Sequence, residues 1–181
     1  MQFICLSSAG QMTMPDYTCA GQKRHYYVNT APHTGSTYTW WIDGNTVPGN
    51  KTSDLIYNWN FPKIYLLEVQ EFSTDGCPGP KISGQIFVNP PPEILVTASD
   101  TLVCDGESVT FKVENPSPLI WGKWIYDLIV VPDPGITGNT IDGRYAGPAD
   151  LNEILSNHDR EIHKVVYRFI PGIATDEGAR L

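Results

Sequence analysis

Alternation constrains this chain most. Across residues 36–42, Tyr38, Trp40 and Ile42 fall on one face, and Thr37, Thr39 and Trp41 fall on the other. Successive side chains of an extended strand point to opposite sides, so a period of two marks a strand with one buried face. Asp43-Gly44-Asn45 follows at once, a strong hairpin signal. The same period returns in 64–72, where Tyr65, Leu67 and Val69 share a face, and in 81–88, where Ile82, Ile86 and Val88 do. Residues 23–28 and 53–59 are shorter strand candidates. Several strands at short spacing with no helical period predict an antiparallel β-sandwich over residues 12–89.

Asn89-Pro90-Pro91-Pro92 then interrupts the pattern. Consecutive prolines hold an extended, semi-rigid segment and cannot continue a ladder, which places a linker at 90–92. Residues 93–181 begin like the first segment. Cys104-Asp105-Gly106-Glu107 precedes an alternating run (Val109, Phe111, Val113), much as Cys19-Ala20-Gly21-Gln22 precedes Tyr26 and Val28. A long strand over 121–131 puts Trp124, Tyr126, Leu128 and Val130 inward, and one over 161–170 does so for His163, Val165, Tyr167 and Phe169. Between them, Asp150-Leu151-Asn152-Glu153 has the form of a capping box and predicts a short helix ending near Asn157. The fold expected is all-β: two tandem antiparallel β-sandwiches, the second carrying a short helix and lacking a closing strand.

At the N-terminus, Phe3-Ile4-Cys5-Leu6 followed by Ser7-Ser8-Ala9-Gly10-Gln11 has the form of a truncated signal peptide remnant over residues 1–11. That reading predicts export and a mature chain beginning near Gln11. The alternative is an apolar N-terminus of a cytosolic protein. No apolar run beyond residue 11 approaches the roughly 18 residues that cross a bilayer, so no membrane span is expected in the mature chain. The formal charge is −8 and no Lys/Arg cluster occurs, which would repel a phosphate backbone and argues against a nucleic-acid partner.

Setting Cys5 aside with the leader leaves Cys19, Cys77 and Cys104, an odd number. The simplest arrangement is a Cys19–Cys77 disulfide with Cys104 pairing outside the chain; a buried free thiol at Cys104 is the alternative. No catalytic residues, metal ligands or cofactors are expected. Gly106-Glu107-Ser108 starts like a nucleophile elbow, but Thr110 replaces its last glycine, and Ser108 reads as the start of a strand. The histidines at 25, 33, 158 and 163 fit no metal-binding spacing. Three tryptophans are candidate ligand contacts: Trp41, Trp59 and Trp121. An outward aromatic beside polar groups stacks on a sugar or a partner surface, and the alternative is packing under a loop. Asn50-Lys51-Thr52 matches the N-glycosylation pattern.

Several of these segments resemble a known family. Cys19-Ala20-Gly21-Gln22, Gly35-Ser36-Thr37-Tyr38-Thr39-Trp40, Tyr65-Leu66-Leu67-Glu68-Val69 with Gly76-Cys77-Pro78-Gly79, and Val103-Cys104-Asp105-Gly106-Glu107 are similar to the PKD-like, immunoglobulin-like repeats of large surface proteins in gliding bacteria. Gly135-Ile136-Thr137-Gly138 and Val165-Val166-Tyr167-Arg168-Phe169 fit the middle and late parts of such a repeat. The resemblance implies type IX secretion, a cell-surface or extracellular location and neighbouring repeats of one longer polypeptide. It also implies a non-catalytic spacer or adhesion role whose partner is an extracellular polysaccharide or surface protein. The alternative role is an ancillary carbohydrate- or protein-binding module of a secreted polymer-degrading enzyme. Asp100-Thr101-Leu102 is similar to the short sites that carry O-glycans in exported proteins of such bacteria, which makes Thr101 a candidate attachment point.

Overall fold

The computed structural model describes residues 3–7, 10–12, 15–28, 35–175, 178 and 180, and among these every regular element is a strand. The chain divides into two compact units, Met1–Pro91 and Pro92–Leu181.

Unit 1 contains β1 (Phe3–Ser7), β2 (Gly10–Met12), β3 (Asp16–Cys19), β4 (Gln22–Val28), β5 (Thr37–Ile42), β6 (Asn45–Thr46), β7 (Asp54–Trp59), β8 (Lys63–Phe72) and β9 (Pro78–Asn89). They form two sheets, ordered β2-β1-β4-β7 and β3-β9-β8-β5-β6. Every pairing is antiparallel except that of β3 with β9. This is the immunoglobulin-like division of strands between two facing sheets. Alternation decides what lies between them. Tyr38, Trp40 and Ile42 of β5, Tyr65, Leu67 and Val69 of β8, and Ile86 and Val88 of β9 meet Tyr26, Val28, Leu55 and Trp59 of the other sheet in one core. Each such side chain removed from water contributes about 1.5–3 kcal/mol. β5 turns into β6 through Asp43 and Gly44, whose φ values of 50° and 78° are those of a type I′ hairpin. Residues 3–7, within the segment expected to be a leader remnant, run beside β4 from Phe3 opposite Val28 to Leu6 opposite His25.

The expected Cys19–Cys77 disulfide is not formed; both thiols are free. The parallel pairing of β3 sets Cys19 opposite Asn89 at the far end of β9, whereas Cys77 immediately precedes the start of that strand. A strand of this length at about 3.4 Å per residue separates them by roughly 35 Å, and a disulfide requires Cα atoms within about 7 Å.

Unit 2 contains β10 (Leu95–Ala98), β11 (Ser108–Glu114), β12 (Lys123–Pro132), β13 (Ile136–Thr137), β14 (Gly143–Ala146), β15 (Ala149–Ile154), β16 (Ser156–Asn157) and β17 (Val165–Ala174). Sheets β10-β11-β15 and β14-β12-β17 pack around Val113, Trp124, Tyr126, Leu128 and Val130, and β13 pairs with β16 as a separate ribbon. The short helix expected after Asp150 is instead strand β15. Asp150 and Asn152 point outward, Leu151 is half-buried and Glu153 is buried, a period of two. The Glu153 carboxylate accepts the Thr140 N–H (2.7 Å), the Thr140 hydroxyl and the Tyr167 hydroxyl (3.1 Å). A glutamate read locally as a helix cap is therefore held by a loop and by the facing sheet, and those tertiary bonds override the local preference.

The repeated Cys-x-Gly-x opening has a structural counterpart in both units. The Gly21 N–H donates to the Trp59 carbonyl (2.6 Å) and the Gly106 N–H donates to the Leu155 carbonyl (3.0 Å). Both glycines have positive φ, 86° and 76°, a conformation that a side chain disfavours.

Candidate contact face on the five-stranded sheet

The odd parity that hides Tyr65, Leu67 and Val69 turns Ile64, Leu66, Glu68 and Gln70 to the outer side of the five-stranded sheet of unit 1. Register then builds rows across that face. Trp41 lies opposite Glu68, which lies opposite Ser83. Leu66 lies opposite Gln85, and Ile64 lies opposite Phe87, itself opposite Tyr17. Rows on one face of a strand are two residues apart, about 7 Å.

Trp41 is half-buried, and the Lys81 ammonium sits 4.1 Å from its ring centroid. Lys81 also lies 3.5 Å from the Glu68 carboxylate, which keeps the cation over the indole. The Gln70 side-chain amide donates to the Gly79 carbonyl (2.8 Å) at the same end of the face. An indole flanked by an ammonium, a carboxylate and an amide provides a stacking surface with donors and acceptors around it. At the other end the Tyr17 and Phe87 rings stack at 5.2 Å, beside the exposed Ile64. The outward position of Trp41 was legible in the sequence. The Tyr17–Phe87 pair was not, because it depends on the parallel pairing of β3 with β9.

The other sequence candidates fall elsewhere. Trp59 is 0% exposed and belongs to the core, so it is no ligand contact. Its ring packs on Tyr57 (4.7 Å) and Tyr65 (4.6 Å), and its indole N–H is bound inside. Trp121 is half-buried in the loop before β12, well away in sequence from the face around Trp41. The Asn50 amide is engaged: it donates to the Asp54 carbonyl (2.7 Å) and accepts the Thr52 N–H (3.0 Å). Thr101 is exposed, with its N–H donated to Asp100 (2.7 Å). That N–H and the Leu102 N–H hold the Asp100 carboxyl below the ordinary carboxylate range.

The His163 Nε2–H donates to the Asp159 carboxylate at 2.8 Å, while His158 bonds the Thr137 hydroxyl at 2.8 Å, so the two imidazoles are each engaged with a different neighbour. Among the described residues no three His, Cys, Asp or Glu side chains converge as a metal-binding group would.

No protein-family description matches the chain. No curated protein matches it either. Solved structures similar to it include the fibronectin(III)-like modules of Clostridium thermocellum CbhA, at 11% identity and a TM-score of 0.41, covering 99% of this chain and 88% of that one. The amphioxus IgVJ-C2 molecule is similar at 14% identity and a TM-score of 0.34, covering 85% of this chain and 98% of that one. Carbohydrate-binding modules of the β-sandwich superfamily are similar at 11% identity and a TM-score of 0.37, covering 99% and 97%.

Proposed function

We propose that this chain is a non-catalytic extracellular module that holds spacing and contacts a polysaccharide through the outer face around Trp41. The single observation that carries the reading is the outward Trp41 indole with Lys81 and Glu68 beside it on the outer face of the five-stranded sheet. Stacking an apolar sugar face on that ring is favourable once Lys81 moves aside to bond a hydroxyl. β5 is hydrogen-bonded to β6 and β8 on its two edges, which holds the backbone beneath the indole and keeps the ordering cost of binding small. In this reading the chain acts in a cell-surface protein of the type IX-secreted, gliding-associated kind that its Cys-x-Gly-x openings resemble. Its PKD-like units are neighbours of further repeats in a longer polypeptide, and it is exported with a leader whose cleavage near Gln11 would remove β1 and leave β4 at the edge of its sheet beside β7.

A second reading, contact with a surface protein, is favoured by the apolar end of the same face, where Ile64, Phe87 and Tyr17 lie together. Affinity electrophoresis in polysaccharide gels tests the first reading. Retardation of the native chain that is lost in Trp41→Ala and kept in Trp121→Ala is the expected result. Equal retardation of all three proteins, or none against a broad panel, would remove the Trp41 face as a glycan site.

A further inference from the structure

The two units differ at one edge. In unit 1, β9 runs antiparallel to β8, from Lys63 opposite Val88 to Gln70 opposite Lys81, and covers the core with Ile86 and Val88. Tyr65, Leu67 and Val69 of β8 are buried in consequence. In unit 2 the matching strand β17 pairs along its length with β12, and no described strand pairs with its opposite edge. Its inward side chains Val165, Tyr167 and Phe169 are only half-buried. Together with Val96 of β10 and Phe111 of β11 they line an open groove of about 830 Å³. Its floor is aromatic, with the Phe111 ring 4.6 Å from Tyr167 and 6.3 Å from Phe169.

Two backbone contacts after β17 repeat those that start β9. In unit 1 the Gly76 N–H donates to the Ser73 carbonyl (2.9 Å), and Pro78 then lies opposite Phe72. In unit 2 the Gly178 N–H donates to the Thr175 carbonyl (2.9 Å), and Arg180 then bridges Ala174 in the antiparallel sense. The glycines have the same positive φ, 80° and 87°. Arg180 also donates to the Pro171 carbonyl (2.8 Å) and pairs with Asp127, which fixes it on that edge.

We infer that the groove of unit 2 is the seat of a closing β-strand of the same polypeptide, running on from Arg180 antiparallel to β17 with alternate apolar side chains packed on Val96, Phe111, Tyr167 and Phe169. The bridge of Arg180 to Ala174 commits the source, because it already sets the backbone against the free edge in the antiparallel sense that β9 takes. An uncovered strand as long as β17 presents a row of unpaired N–H and C=O groups, and pairing them is what an added strand provides. The inference is independent of the Trp41 reading.

The test extends the full chain beyond Leu181 with the sequence of residues 80–89, which continues the β9 register from Arg180 and, with the one-residue register shift that β9 makes between Phe72 and Gln70, sets its Ile86 and Val88 opposite Tyr167 and Val165. A second extension carries serine at the positions matching Ile82, Ile86 and Val88. Amide hydrogen exchange of β17 is the readout. The apolar extension is expected to slow exchange at alternate β17 amides by about tenfold or more, and the serine extension is expected to leave them unchanged. Equal protection by both extensions, or by neither, would overturn the inference. So would saturation of the groove by the same sequence as a free peptide at micromolar concentration with no gain from the extension, because the strand would then come from another polypeptide. In the unextended chain, edge amides of β17 already as slow as those of β8 would also contradict it.

Discussion

The indole N–H of Trp59 donates a 2.8 Å hydrogen bond to the hydroxyl of Tyr26. That hydroxyl donates in turn to Asp16 at 3.0 Å, and the Asp16 carboxylate is 1% exposed. Trp59 and Tyr26 belong to one sheet of unit 1 and Asp16 to the other, so the relay is a polar tie across an apolar core. Arg24 lies 3.6 Å from the same carboxylate and supplies a balancing charge.

Tyr26→Phe keeps the ring and removes the hydroxyl, leaving a buried indole N–H and a buried carboxylate each short of a partner. A loss of about 2–4 kcal/mol is expected, since bonds to charged groups are stronger than neutral ones and orphaned groups pay their desolvation. Urea unfolding followed by tryptophan fluorescence measures it. A change below about 0.5 kcal/mol would show that the relay ties nothing.

Two carboxyl groups of unit 1 give stability opposite dependences on pH. Burial raises the Asp16 pKa above 3.8, against the opposing pull of Arg24 and Tyr26. The folded chain then keeps a proton that the unfolded chain has lost, so this contribution falls as pH rises from about 3.8 through the folded value. For Asp43, burial also works upward but is outweighed by the Lys63 ammonium and the Leu66 N–H, and the pKa lies below 3.8. Its contribution is present above that value and is lost as pH falls through the folded one. Urea midpoints between pH 3 and 7 should therefore flatten on the alkaline side in Asp16→Asn and on the acid side in Asp43→Asn. Identical pH profiles for both variants and the parent would refute the assignment.

In unit 2, Glu153→Ala strips the acceptor from the Thr140 N–H and the Tyr167 hydroxyl together. The expected cost is about 2–4 kcal/mol, read as a lower unfolding midpoint for this unit. Burial, and then the charge of Glu153, push the Tyr167 pKa far up, so in the parent this phenol should stay protonated in alkaline solution until the unit unfolds. Ultraviolet titration reads this directly, and a Tyr167 that ionises with free tyrosine would contradict it.

The thiols should separate by access. Cys77 and Cys104 are exposed, while Cys19 is half-buried with its pKa raised by burial, only partly countered by Arg24. A disulfide-exchange reagent is expected to label Cys77 and Cys104 well before Cys19. Peptide mapping of the oxidised protein should contain no Cys19–Cys77 link. Recovery of that link as the main species would contradict the topology, because it demands that β3 leave its place on β9.

Much of this architecture was legible because alternation is local. Tyr38, Trp40 and Ile42, and likewise Trp124, Tyr126 and Leu128, declare their buried face within a few residues. Asp43-Gly44 declares its turn in two. What failed was non-local. The parallel pairing of β3 with β9 separates Cys19 from Cys77, and no short window of sequence carries that information. Trp59 is a candidate contact in the sequence, yet its partners Tyr26 and Tyr65 come from other strands and hold it in the core. Glu153 fits the third position of a capping box begun by Asp150, and its bonds to Thr140 and Tyr167, which no local window shows, hold it in a strand instead. Parity placed Val165, Tyr167 and Phe169 inward without distinguishing a covered groove from an open one.

The proposed function rests on the Trp41 indole facing outward while those of Trp40 and Trp59 are held within the core. The five tryptophan side chains give five Nε1–H resonances in an ¹⁵N-labelled chain, and titration with polysaccharide follows each separately. The account predicts that the Trp41 resonance moves and saturates while those of Trp40 and Trp59, each 0% exposed, stay in place. Saturable binding that shifts Trp121 or Trp124 and leaves Trp41 still would contradict it.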